Sequence, residues 1–405
     1  MKTTICFMID SLRPKDITSS NTPFLSSLQS NSIVAEIIPP FAFEPDVAYI
    51  AGLYPEQSDE GTMFWLSPPP IKIRKISNIF SFLDKTPDHF NIFFRYALRA
   101  YFRFGSSSPA EKYFRTTANI PISLIKYFDI IHKKLMYENN FCNGKTVFEL
   151  IEEEKGNWLY LGYPLTSSSV IDIYNRFKRI KIAEFDFIFA MINKLDIIGH
   201  KYGPDSVERK YIMKEIDAYL QKVFYLVKKQ IDNFNFIIFS DHGMVSVKSI
   251  VNIWEEIHKL PLKIEKDYLV FLDSTLARFW FFSEKAKSMI KNVLENINGG
   301  RIISEKEMKI YRIRYKHNKF GDLLYWVDNG NIILPNFFQG NKIPMGMHGY
   351  RNDCLDNHSF YMSFSSFKNV NKKMSQAIPM VRIFPSILNN LGIDYTKYTQ
   401  ERPID

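Results

Sequence analysis

Short apolar runs alternate with amphipathic stretches along most of this chain, and that alternation predicts its architecture. The run at 3–9 (TTICFMI) reads as a buried parallel strand with Asp10 at its carboxyl end. A helix is expected over 22–30, where Pro23 follows Thr22, and a strand over 33–41, stopped by Pro39 and Pro40. A further helix runs from Ala48 to Leu53 and ends at Tyr54-Pro55. After another at 76–84, helices at 146–154, 170–180 and 205–230 alternate with strands at 157–164, 185–192 and 234–240. Such alternation predicts one α/β domain over 1–405, a doubly wound, mostly parallel sheet flanked by helices.

Two stretches break the rhythm. From Asn91 to Tyr137 aromatics crowd together, and arginines and lysines interleave with them against only Glu111 and Asp129. This reads as a helical cap insertion over 86–140. Its cations either cap an anionic site or stand solvated on a helix pair with an aromatic core. Over 255–340, short strands around a helix at 284–297 predict an α+β insertion, and a last amphipathic helix is expected at 381–393.

Composition adds little to the fold but narrows the partners. The chain has 405 residues, 46% of them hydrophobic, and a net charge of +9. That surplus favours anionic partners, among them phosphorylated metabolites, nucleic acid and acidic membrane surfaces, although a lysine-rich surface alone would also produce it. The three cysteines, Cys6, Cys142 and Cys354, are odd in number and share no metal-type spacing, which suits a reducing compartment. No apolar stretch approaches the roughly 18 residues of a spanning helix. The N-terminus reads as a strand, not a leader. The expectation is a cytoplasmic protein with a small anionic phosphorylated substrate, no specific nucleic acid and no membrane.

The chemistry concentrates in four short segments. They hold Asp10 in MIDSLRP, Asp196 and His200 in LDIIGHKYGP, Asp241 and His242 in FSDHGM, and His348 in MGMHGY. Their contexts read as strand ends and tight loops. Mixed carboxylate and imidazole ligation suits two zinc-like ions, with manganese or iron as alternatives. Each fragment alone has a plainer reading, since an Asp-His pair often just caps a turn. Their order along the chain carries the weight.

In that order the segments, with GLYPE at 52–56, resemble the alkaline phosphatase superfamily, most closely its type I phosphodiesterase/nucleotide pyrophosphatase branch. The resemblance implies a two-metal hydrolase of phosphate esters. Asp196, His200 and His348 would hold one ion, and Asp10, Asp241 and His242 the other. It also implies a Ser or Thr nucleophile, and counting back from Gly52 that position falls on Ala42. No Ser or Thr lies between Ser32 and Ser58. Ala42 is therefore an engineered replacement, a natural loss of hydrolysis, or the sign of attack by water without a protein nucleophile. The alternatives in the same fold are a phosphomonoesterase, a sulfatase, a phosphotransferase or a non-catalytic phospho-ligand binder. Glu44 and Asp46 near that position either meet a substrate hydroxyl or amine or cap the next helix. Asn193 could line the phosphate side or simply end a strand. Trp65 could stack on a ring or pack in the core.

Overall fold

The computed structural model describes residues 2–41, 45–85, 88–106, 108–163 and 169–404. Six strands build the main sheet: β1 (Thr3–Ile9), β2 (Ser32–Ile38), β3 (Trp158–Leu161), β4 (Phe187–Ile192), β5 (Phe234–Phe239) and β6 (Ser359–Ser365). Their order is β2-β6-β5-β1-β4-β3, with the short pairs Lys372–Lys373 and Ile378–Pro379 alongside β2. β1 lies parallel to both β4 and β5, and β6 runs antiparallel to β2 and β5. The sheet is thus mostly parallel, as the alternation predicts.

Side-chain alternation explains why both faces are covered. Cys6 and Met8 of β1 point to one layer with Phe189, Ile237 and Phe239, under the helix Ile383–Leu391 and α1 (Asp46–Ala51). Ile5, Phe7 and Ile9 point to the other layer with Ile188, Phe236 and Ile238. Buried on both sides, such strands must read as continuous apolar runs, and they do.

The two stretches that break the alternation take different forms. Residues 255–340 form an antiparallel sheet of Tyr268–Leu272, Leu276–Phe281, Leu323–Val327 and Gly300–Ile302, with a helix at Glu284–Asn296. Asn331–Ile333 does not join it but pairs with Ser249–Val251. The aromatic stretch contains α2 (Ile71–Phe80), α3 (Asp88–Gly105) and α4 (Pro109–Thr117), then a strand, Phe128–Ile130, that pairs with Phe64–Leu66. That strand departs from the all-helical expectation. Apolar partners across a short ladder outweigh the local aromatic-basic pattern.

A buried acid–base pair sits beneath these elements. Glu60 and His132 are both buried, 3.5 Å apart. Burial, aided by Asp46 and Asp59, pushes Glu60 up to about 9, and burial pushes His132 down to about 4. The folded chain therefore keeps a proton on Glu60 that the unfolded chain releases above its ordinary value near 4.3. Stability from this group is full below that value and declines as pH rises towards 9. We expect Glu60→Gln to stabilise the fold by about 2–4 kcal/mol at pH 8, at about 1.4 kcal/mol per tenfold change in proton affinity. The gain should vanish near pH 4–5, and urea melts across pH 5–9 would register the difference.

Candidate metal centre

The residues flagged in the sequence converge at the carboxyl edge of the parallel strands. Asp10 follows β1, Asp241 and His242 follow β5, and Asp196 follows β4. Here one expectation needs correcting. Asp196 and His200 lie not on a loop but on a helix, α5 (Lys194–Tyr202), one turn apart on one face. Their i,i+4 spacing is what brings His200 Nε2 to 3.3 Å from Asp196 Oδ2. His348 hangs from a two-residue ladder in which Gly346–Met347 pairs with Val245–Ser246. All six line one cleft, open to solvent, with Asp46, Ser274, Phe338 and Gln339 in its wall.

Two groups of ligand atoms fall within 4.8 Å of one another: Asp196, His242 and His348, and Asp10, Asp241 and His242. The second is the set the resemblance implies. The first has His242 where the resemblance puts His200. His242 and His348 stack with ring centroids 3.6 Å apart, and His200 stands 5.2 Å from His348. His242 Nε2 lies 3.5 Å from Asp10 Oδ1 and 3.4 Å from Asp241 Oδ2. The imidazoles are aimed by their other nitrogens. His200 Nδ1 donates to the Gly346 carbonyl at 2.8 Å, and His242 Nδ1 donates to that of Gly243 at 2.9 Å. That leaves Nε2 of each free to ligate.

The residues present fit divalent ions. Asp10 Oδ1 and Asp196 Oδ1 are buried and accept no hydrogen bond. Burial, with Asp196 and Asp241 close by, pushes Asp10 well above the carboxylate range. Burial also raises Asp241, while His200 overcomes the effect of burial on Asp196 and holds it low. Burial and the neighbouring His242 push His348 well down, as a neutral ligand requires. Crowded carboxylates with idle oxygens are costly alone and are relieved by cations.

A second tier of residues holds the ligand segments together, and the sequence reading missed it. Arg13 and Arg209 are fully buried around one carboxylate, Asp16. Arg13 Nη2 donates to Asp16 Oδ1 at 2.7 Å and Arg209 Nη1 to Asp16 Oδ2 at 2.9 Å. From there Arg209 reaches the Ser11 carbonyl at 2.6 Å, and Arg13 reaches the carbonyls of Pro204 and Met244. Three of the four ligand segments are therefore stitched to a single ion cluster. Ser11 has φ 65°, the left-handed turn that re-aims the chain after Asp10, and its N–H donates to Asp241 Oδ1. Gly243 is obligatory beside His242, because a Cβ there would meet the Asp356 carbonyl at 2.2 Å.

The remaining flagged residues divide. Asp46 opens α1 but makes no capping bond. It faces the cleft, accepts from Tyr49 Oη at 2.5 Å, and burial pushes it up to about 6. Asn193 lines an adjoining hollow that shares Asp46 and Met191 with the cleft, and Lys134 and Tyr137 reach that hollow from the end of the cap insertion. Trp65 is not in the cleft wall. It meets the His317 ring edge-on, under Lys319 Nζ. Ala42 and Glu44 lie outside the described residues. Ser274, which donates to Gln339 Oε1 at 2.7 Å, is the one alcohol among the described residues lining the cleft.

An open, mostly parallel α/β sheet with this carboxylate and imidazole set at its carboxyl edge places the protein in the alkaline phosphatase superfamily. Comparison with known sequences narrows this. The profile of the type I phosphodiesterase / nucleotide pyrophosphatase family matches residues 108–351, and the chain belongs to that family. Ectonucleotide pyrophosphatase/phosphodiesterase family member 7 of Rattus norvegicus is 29% identical over 178 residues, 43% of this chain and 40% of that protein. Family member 5 of Homo sapiens is 25% identical over 199 residues, 48% of this chain and 40% of that protein. The chain thus matches less than half the length of these relatives. An inactive variant of murine ectonucleotide pyrophosphatase/phosphodiesterase 5 in complex with AMP shares the fold. Its TM-score is 0.69 at 15% identity, covering 97% of this chain and 96% of that one.

Proposed function

We propose that this chain is built as a two-metal hydrolase of phosphodiesters or nucleotide pyrophosphate bonds, acting on a small anionic substrate. The observation that carries this is the pair of ligand groups within 4.8 Å that meet at His242. Family membership supports the reaction class, and the murine relative in complex with AMP supports a nucleotide-like ligand. Zinc suits the mixed nitrogen and oxygen donors best. Two bound ions would neutralise phosphate charge and acidify an attacking oxygen.

The chain's own residues do the rest. The carboxylates and imidazoles fix the site's charge and geometry, with the Asp16 cluster holding three of their segments. Asp46, with its raised proton affinity, stands where it can accept from or donate to a leaving-group oxygen. Phe338, Met191 and Met347 give the cleft apolar walls that limit water.

Ala42 supports a second reading, in which the site binds a phosphorylated ligand without hydrolysing it by covalent catalysis. We expect Ala42→Thr to raise hydrolysis of bis(p-nitrophenyl) phosphate by zinc-loaded protein at least about a hundredfold, the scale of a restored nucleophile. Should Ala42→Thr and Ala42→Ser both stay at the parent rate, the covalent route through position 42 is wrong. Retained binding of AMP in that case would favour the binding module.

A further inference from the structure

Helix α3 turns part of its aromatic content outward. Among its described side chains, Phe93, Tyr96, Ala97, Ala100, Tyr101 and Phe104 are exposed at i, i+3, i+4, i+7, i+8 and i+11 along one face, with exposed Arg103 beside them. Phe93 is 77% exposed and Phe104 83%. The opposite face carries Arg95 and Arg99, which donate to the Ile120 carbonyl at 3.0 Å and to Asn119 Oδ1 at 2.7 Å. Arg95 and Arg99 thus bond to the loop at 119–120, while Phe93, Tyr96, Tyr101 and Phe104 face outward and Phe94 and Phe102 pack inward. The neighbouring α2, joined through the Phe80–Phe94 ring contact at 4.7 Å, leads into exposed Ile79 and Phe82. An exposed apolar face of this kind on α3 marks a surface that something covers.

We propose that this face of α3 docks on an anionic lipid surface. Charge selects that partner. Over 71–104, every described exposed charge is basic: Lys72, Arg74, Lys75 and Arg103. The nearby carboxylate of Asp84 is occupied by the Ile122 and Ser123 backbone N–H groups. A helix with aromatics on one face and cations at its border lies in the headgroup layer, where the rings are buried and the cations meet lipid phosphates. A second copy of the chain would fit less well, because a two-fold contact sets the same cations against themselves. The expectation of no membrane rested on the lack of a spanning segment. None of the described helices is long and apolar enough to cross a bilayer, but docking in the headgroup layer needs no such helix. The opposite face of the same helix is linked to the cleft. Arg99 holds Asn119, Asn119 donates to the Phe338 carbonyl, and Phe338 lines the cleft.

Vesicle co-sedimentation of the full chain tests this without reference to catalysis. Phosphatidylcholine vesicles with about 30% phosphatidylserine should bind the protein, with binding falling as salt rises and much weaker binding to phosphatidylcholine alone. The double variant Phe93→Ser/Phe104→Ser should lose at least about tenfold in partitioning, because two inserted rings leave the bilayer. Both side chains are exposed, so the variant should melt like the parent. Val207→Ser/Tyr211→Ser, which alters exposed apolar groups elsewhere, should bind like the parent. The proposal is overturned if the parent ignores anionic vesicles or if the Phe93/Phe104 variant binds undiminished. Micromolar self-association in sedimentation velocity that the same variant abolishes would assign the face to a second copy instead.

Discussion

Replacing His242 with alanine should abolish metal loading at both positions together. Its imidazole belongs to both ligand groups, with Nε2 3.5 Å from Asp10 Oδ1 and its ring stacked on His348. Loss of an ordinary ligand weakens one site, whereas loss of a shared one weakens two and leaves crowded carboxylates facing each other. The expected result in a zinc titration is a fall from about two ions per chain to binding weakened at least a hundredfold at each. His200→Ala should do less, on the order of tenfold at a single site, since His200 lies outside both groups. A titration in which His200→Ala proves the more damaging of the two would restore the ligand division implied by the sequence resemblance and refute the sharing of His242. The readout is binding, so it holds whether or not Ala42 permits turnover.

The second large effect concerns stability. Asp16→Ala should lower the free energy of unfolding by about 3–5 kcal/mol, because it leaves two buried guanidiniums without their common carboxylate. Arg13 is 2% exposed and Arg209 not at all, so neither can turn to water. Arg13 keeps a second partner in Asp205 at 2.8 Å, but that carboxylate is exposed and holds less. The denaturant midpoint measures the loss. Zinc affinity should fall with it, by at least about tenfold, since the cluster positions the Ser11 turn and the Met244 and Pro204 segments. A midpoint within experimental error of the parent would show that the cluster contributes no net stability.

The sheet and the residues that converge on the cleft were legible in the sequence for different reasons. Strands buried on both faces must be apolar throughout, so FDFIFAMI and FNFIIFS announce themselves. The ligand segments could be read from their order, since any one Asp-His pair is uninformative. What pattern could not supply was partnership at a distance. Asp16 looks like a surface acid two residues after a proline, yet it is buried by two arginines, one of them 193 residues away. The Asp196–His200 segment reads as a strand end or tight loop in the sequence, yet it is helical even though its Gly199 is a poor helix former. That glycine is needed where a Cβ would press on Met244. The outward aromatic face of α3 was likewise invisible, because periodicity shows that a helix has two faces and not which of them packs inward.

The ladder that carries His348 has a consequence for how the protein matures. Asp10 is made well before His348, and the latter follows a two-residue strand, Gly346–Met347, paired to Val245–Ser246. A nascent chain can therefore close its sheet around β1, β4 and β5, and complete the Asp10, Asp241 and His242 group, well before the group that needs His348 can form. Uptake of the ion that His348 would hold should lag behind both the return of secondary structure and the first ion on refolding, making the second ion a reporter of finished molecules.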